Sequence, residues 1–265
     1  MYEESFKASS GWFKNFKRRT DLHSVVWHGE AASANTKAAE VFVKEFERLE
    51  VSECYVPQQV FNCDKTGLFW KKMPKSTYIT AEEKVMSGHK PMKDCLTLLF
   101  CANASNNFKV KPLLVYHAEN PQAFKKCKFQ KSQLNVLLRS NSKAWVTRML
   151  FVEWVNECFG PYVKQFLLDR GLPLIALLVM DNAPAHSPNI EDDLLEEFSF
   201  IKVMFLPLST TSLIQPIDQQ VISNFKKLYT KASFQRCFKV TEGTNLTFSR
   251  VLERPFPYCQ LPEVY

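Results

Sequence analysis

The longest apolar run in the chain, Leu172 to Met180, has the length of a buried strand and stops on an aspartate, Asp181. Short runs of this kind read as strands covered on both faces, and such strands belong to α/β layers. A carboxylate that closes one is costly to desolvate unless something offsets its charge, and a metal ion does that. At 265 residues the chain has length for one large domain and a small appendage. Its 22 Phe and 7 Gly favour a packed α/β or α+β core over a glycine-punctuated all-β design.

Around that run, β-rich segments alternate with turns. VFNCDKTGLFW, from Val60, predicts a first strand that carries Asp64. KSTYIT predicts a short strand and CLTLLFCANAS a buried one. FKVKPLLVYH predicts another, its middle pushed by Pro112 towards an edge or bulge. A helix is expected from Thr147 to about Arg170, kinked or broken at Gly160-Pro161. The apolar strand follows, then a second buried strand in IKVMFLP, then a helix from about Ile217 to Phe238 with Asp218 in its opening turn. The sum is an α/β fold, a mixed sheet flanked by helices. Trp145, Trp154 and Phe159 are expected in its core. The acidic run Glu191, Asp192, Asp193, Glu196 and Glu197 reads as a solvated helix face.

Upstream, residues 10–23 predict a short amphipathic helix. Trp12, Phe13 and Phe16 form its apolar side; Lys14, Lys17, Arg18 and Arg19 form its basic side. Residues 30–50 predict a second helix, N-capped by Ser33 or Asn35, with Ala38, Val41, Phe42 and Phe46 on one face. The main domain boundary is expected near Pro57.

The net charge is +7 and the basic residues cluster. Lys7 to Arg19 holds five without an acid, Lys109 to Arg148 holds nine against Glu119, and Lys226 to Lys239 adds five. Clustered cations attract a polyanion by releasing its counterions, which makes nucleic acid the natural partner, with a solvated basic surface as the plainer alternative. No window approaches 18 uninterrupted apolar residues and MYEESFKASS lacks the apolar centre of a signal peptide, so an intracellular protein without a membrane span is expected. The eight Cys show no zinc spacing and are expected as reduced thiols.

Three aspartates carry the chemistry: Asp64 within a strand, Asp181 closing one, and Asp218 opening a helix after Gln215-Pro216. Three carboxylates from separate elements suit a pair of divalent ions that act on a phosphodiester. Taken singly, Asp181 and Asp218 read equally as a turn residue and a helix N-terminal acid.

The segments FNCDKTGLFWKKMP, TLLFCANAS, KPLLVYHAENP, NSKAWVT, LLVMDNAPAH and LPLSTTSLIQPIDQQVISNFK resemble the pogo/Tigger branch of DDE transposases, and especially the Tigger transposable element-derived family. The likeness runs collinearly from about residue 5 to about residue 237. The family's three acids match Asp64, Asp181 and Asp218. The resemblance implies an RNase H-like endonuclease domain (57–237), Mg²⁺ or Mn²⁺ as cofactor where active, DNA as partner and a nuclear location. GWFKNFKRR resembles the end of a centromere-protein-B-type helix-turn-helix module, which makes residues 1–50 a partial remnant of it. Trp12, Lys14, Lys17, Arg18 and Arg19 would be its nucleic-acid contacts. The helices that usually precede this point are not in the sequence, and residues 238–265 match nothing in the family.

The family usually has Glu where Lys65 stands, and Gly where Ala185 and Gln220 stand. Alternation along a strand predicts that Lys65 faces away from Asp64. His186 reads as a turn cap or as a group near the phosphate. Three functions stay open on these residues: a DNA-binding transposase remnant with unused chemistry, a working metal-dependent endonuclease or transposase, and a protein-interaction module without a DNA role.

Overall fold

The computed structural model of the protein describes residues 9–20, 34–71, 94–121, 124, 130–182 and 190–241. The predicted KSTYIT strand, the Ala183–His186 part of the DNAPAH motif and most of the C-terminal segment lie outside them. The chain forms two compact units, Met1–Ser33 and Ala34–Tyr265.

In the first unit, helix α1 (Ser10–Arg19) starts at Ser9, whose hydroxyl accepts the Trp12 N–H at 3.1 Å. A side-chain acceptor at the N-cap satisfies a backbone donor that the helix itself cannot. The Trp12 and Phe16 rings stack at 5.2 Å, and the Lys17 ammonium lies 5.0 Å from the centre of the Phe13 ring.

Among the described residues of the second unit six strands form one sheet: β1 (Val60–Leu68), β2 (Leu96–Asn103), β3 (Leu113–Tyr116), β4 (Leu137–Ser140), β5 (Ala176–Met180) and β6 (Ile201–Phe205). Their order is β4-β3-β2-β1-β5-β6. β1, β2 and β3 run antiparallel to their neighbours in that series, while β5 lies parallel to β1 and β6 parallel to β5. Three antiparallel strands continued by two parallel ones make an RNase H-like sheet, and β4 extends it at one border, parallel to β3.

The apolar strand is the fully buried β5, as its composition demands. β4 has no clear apolar alternation and was not expected. With β4 beyond it, β3 is an inner strand that starts just after Pro112, whose carbonyl accepts the Leu137 N–H at 2.8 Å. IKVMFLP is a border strand with mostly half-buried side chains, rather than a second buried strand.

Helices cover both faces. One face meets a nearly continuous helix: α3 (Arg148–Trp154), a π turn (Val155–Phe159) and α4 (Gly160–Asp169). Phe151, Trp154, Phe159, Val163 and Leu167 pack there on Phe61, Cys63, Leu99, Leu113 and Leu178. The expected break at Gly160-Pro161 takes the form of that π turn, which accommodates a residue without a backbone N–H. Gly160 sits against the Phe198 ring, where an added Cβ would lie 2.6 Å from the nearest ring atom.

The opposite face has two separate apolar patches. α2 (Thr36–Ser52), N-capped by Asn35, covers Val60, Leu177, Val179 and Leu206 through Phe42. The long helix α6 (Ile222–Thr241) covers Leu68, Leu96, Leu98, Phe100 and Leu114 through Ile222, Phe225 and Tyr229. α2 belongs with the sheet, and the division between units falls ahead of Pro57, at Ser33–Ala34. The buried stripe of α2 follows Ala39, Phe42, Phe46 and Leu49, leaving Val41 exposed.

Two further expectations change. Trp154 and Phe159 are fully buried, but Trp145 is 66% exposed in the loop before α3, where the Lys143 ammonium approaches its ring. The acidic run forms two short 3-10 turns whose carboxylates pair with Arg148 and Lys164. Cys63, Cys101 and Cys158 are buried and outside any disulfide, and Cys54 is exposed. Among the described residues no helix is long and apolar enough to cross a membrane.

Candidate active site

β1 divides its residues between the two faces of the sheet, as pleating requires. Phe61 and Cys63 enter the sealed face, while Val60, Asn62, Asp64, Thr66 and Leu68 form the row on the other. Along that row Val60 belongs to the patch under α2 and Leu68 to the patch under α6. Asn62, Asp64 and Thr66 lie where the patches part.

β5 brings the second acid. β1 and β5 are parallel, with Phe61 opposite Leu178 and Asn62 opposite Val179. Counting two residues further along both strands sets Asp64 level with Asp181. Adjacent strands lie about 4.8 Å apart, so that register leaves the two backbones as near neighbours where β5 ends.

The third acid is held by a turn of Thr, Gln and Pro. Buried Thr210 donates its hydroxyl to the Pro207 carbonyl at 2.7 Å and opens a short helix, α5 (Thr211–Ile214). Gln215, also buried, donates its amide to the Cys63 carbonyl of β1 at 3.4 Å. Pro216 then starts a π turn (Ile217–Val221) that leads into α6 and carries Asp218 in its first turn, exposed to solvent.

Asn62 ties these parts together. Its amide donates to the Val179 carbonyl at 3.0 Å, and its carbonyl oxygen accepts the Ile217 N–H at 3.3 Å. One side chain thus bridges β1, β5 and the turn before Asp218. Sequence reasoning assigned Asn62 and Gln215 only to motifs; the signal available was their place two residues before Asp64 and three before Asp218.

Asp64 is 8% exposed. Burial pushes its carboxyl up to about 7; the Lys65 backbone N–H at 2.7 Å opposes the rise, and the charges of Asp181 and Asp218 add to it. Asp64 therefore feels both other acids. Among the described residues, however, no three His, Cys, Asp or Glu side chains close into a group able to hold a metal ion.

Lys65 departs from expectation. Its backbone position belongs to the sealed-face row, yet its ammonium reaches Asp181 Oδ2 at 3.5 Å, with the side chains 26% and 20% exposed. β5 ends at Met180, so nothing in the sheet separates the far end of β1 from Asp181, and a four-carbon stem spans the gap. The structure thus sets an ammonium against one of the three acids. Carboxylate oxygens are the donors that Mg²⁺ and Mn²⁺ prefer, so the three acids suit such ions by donor type, not by an assembled ligand group among the described residues.

The sheet order is that of an RNase H-like α/β domain, with Asp64 inside its central strand β1 and Asp181 just past the end of β5. Residues 93–249 match the model of the DDE superfamily endonuclease, and the chain belongs to that family. The matched segment includes Asp181 and Asp218 and begins after Asp64.

The chain is similar to human Jerky protein homolog, 34% identical over 221 residues, which is 83% of this chain and 38% of that protein. Human Tigger transposable element-derived protein 7 is 33% identical over 229 residues, 84% of this chain and 41% of its own length. CENP-B homolog protein 2 of Schizosaccharomyces pombe is 28% identical over 225 residues, again 84% and 41%. The chain thus spans only 38 to 41% of these curated relatives. Two solved structures of the Mos1 mariner paired-end complex, with Mn and with Mg, have TM-scores of 0.47 and 0.45 at 12% and 13% identity; each comparison covers 95% of this chain and 68% of the other.

Proposed function

We propose that this chain is a DNA-binding, nuclear protein derived from a transposase, which keeps a DDE endonuclease-type site whose chemistry is vestigial. The observation that carries the reading is the Lys65–Asp181 ion pair at 3.5 Å, a fixed cation against one of three acids that a nuclease would reserve for metal. The net charge of +7 favours a polyanion as partner. The names of the Tigger and CENP-B relatives support the descent.

The proposed endonuclease domain begins near residue 57 and extends with the family match to residue 249; residues 1–50 are the proposed helix-turn-helix remnant, of which α2 packs on the sheet. Lys14, Lys17, Arg18 and Arg19, with Trp12, are the proposed contacts to the DNA backbone, without base reading of their own. Were Mg²⁺ or Mn²⁺ bound, Asp64, Asp181 and Asp218 would be its ligands, and the ion would supply charge neutralisation at a phosphodiester. Asn62 and Gln215 position the acids through the backbone, and the buried Asp64 carboxyl holds a proton up to about pH 7.

Two measurements test this. Titrating duplex DNA at rising salt should show binding that weakens linearly in log–log terms, by about 0.9 per phosphate neutralised. No binding at low salt sinks the DNA reading. Incubation of the same protein with supercoiled plasmid and Mn²⁺ should leave the plasmid intact. Nicking that disappears in Asp181→Asn would mean that the chemistry is alive.

A further inference from the structure

We infer that Lys65 is a built-in counter-ion for the acidic site, holding at Asp181 the place of a divalent cation and weakening the site's hold on one. The inference rests on the reading of Asp64, Asp181 and Asp218 as a single site.

Three observations carry it. The first is direction. Phe61 and Cys63, which precede Lys65 in its row of β1, are fully buried in the sealed core, yet the Lys65 side chain turns to Asp181 at the end of the neighbouring strand. The second is the nature of the contact. Lys65 Nζ is shielded from solvent and makes no hydrogen bond, so the 3.5 Å approach to Asp181 Oδ2 is held by charge. A buried ammonium is costly unless a negative group answers it, and Asp181 is the described group that does. The third is crowding. Asp64 adjoins Lys65 in the chain and accepts its backbone N–H at 2.7 Å, so the ammonium that meets Asp181 is carried by the residue beside a second acid.

A divalent ion at Asp181 would have to displace this ammonium or sit within a few ångströms of it. Two like charges at that separation repel strongly even in a polar protein interior. The site keeps part of its charge balance without metal, and metal affinity falls as a result.

The test is Mn²⁺ titration by calorimetry on the full chain, with no DNA present. Wild type should bind weakly. Lys65→Met, which keeps the stem and deletes the charge, should bind at least about tenfold more tightly, and Lys65→Arg should behave as wild type. Asp181→Asn added to Lys65→Met should abolish the gain. Melting curves in EDTA give a second readout: Lys65→Met should melt below wild type, and Mn²⁺ should restore it.

Equal Mn²⁺ affinity in wild type and Lys65→Met, including no binding by either, overturns the inference. So does a gain that survives Asp181→Asn, or a loss of folding in both Lys65→Met and Lys65→Gln that Mn²⁺ does not rescue. The DNA titration described above succeeds or fails independently of these outcomes, so failure of the functional reading and of this one can be told apart.

Discussion

The two faces of β1 are built to opposite rules. On one, Phe61 and Cys63 are wholly enclosed beneath Phe151, Trp154 and Phe159, and the Phe61 and Phe159 rings meet edge to face at 5.3 Å. On the other, the apolar cover is split between α2 and α6, and Asn62 and Asp64 occupy the gap. Because side chains alternate, a slip of one residue in register would exchange the two rows and bury the acid in the aromatic core. The sealed face therefore secures the register that the acidic face needs. One side carries the stability and the other spends some of it.

The largest expected effect lies on the sealed face. Trp154→Ala removes a fully buried ring whose indole N–H donates to the Lys111 carbonyl at 2.9 Å, and should cost about 3–5 kcal/mol in chemical denaturation. Should the loss stay below about 1 kcal/mol, the sealed face is not what holds the register. Gly160→Ala forces a Cβ onto the Phe198 ring and should cost roughly 1–3 kcal/mol. Pairing it with Phe198→Leu should recover part of that; strictly additive losses would break the packing account.

On the acidic face the sign reverses. Asp64 titrates near 7 in the folded chain against 3.8 as its ordinary value, so the folded state holds its proton more tightly than the unfolded state. That preference favours folding at low pH and is lost as pH rises from about 4 through 7. Asp64→Asn should therefore match wild type near pH 4 and exceed it above pH 7, by on the order of 2 kcal/mol without metal. A variant less stable than wild type at pH 8 would remove the contrast between the faces. The smallest effect is expected at exposed Trp145, where Ala should change stability by no more than about 0.5 kcal/mol.

Much of this architecture was legible because apolar runs report burial directly. LIALLVM had to be an inner strand, and Thr147 capped its helix as placed, accepting the Leu150 N–H at 3.4 Å. Collinear motifs marked the three acids. Less was legible where a residue's environment depends on distant chain. Trp145 is aromatic but precedes its helix, so periodicity could not show it to be solvent-facing. β4 owes its place to hydrogen bonds with β3, which local pattern does not encode. Strand alternation rightly placed the Lys65 backbone and missed its ammonium, because the rule describes Cβ directions and not the reach of a long side chain. Asn62 was visible as a letter of a motif; its double bridge became visible only in three dimensions.

The border strand β6 offers a last consequence. The Glu191 carboxylate accepts the Val203 backbone N–H at 2.6 Å, and Lys202 pairs with Glu53 at 2.9 Å. A side chain thus sits at a rung that an incoming strand would need, with charge beside it. Another polypeptide could lengthen the sheet on that side only by evicting Glu191, so self-association of this protein by strand addition at β6 is disfavoured from within its own chain.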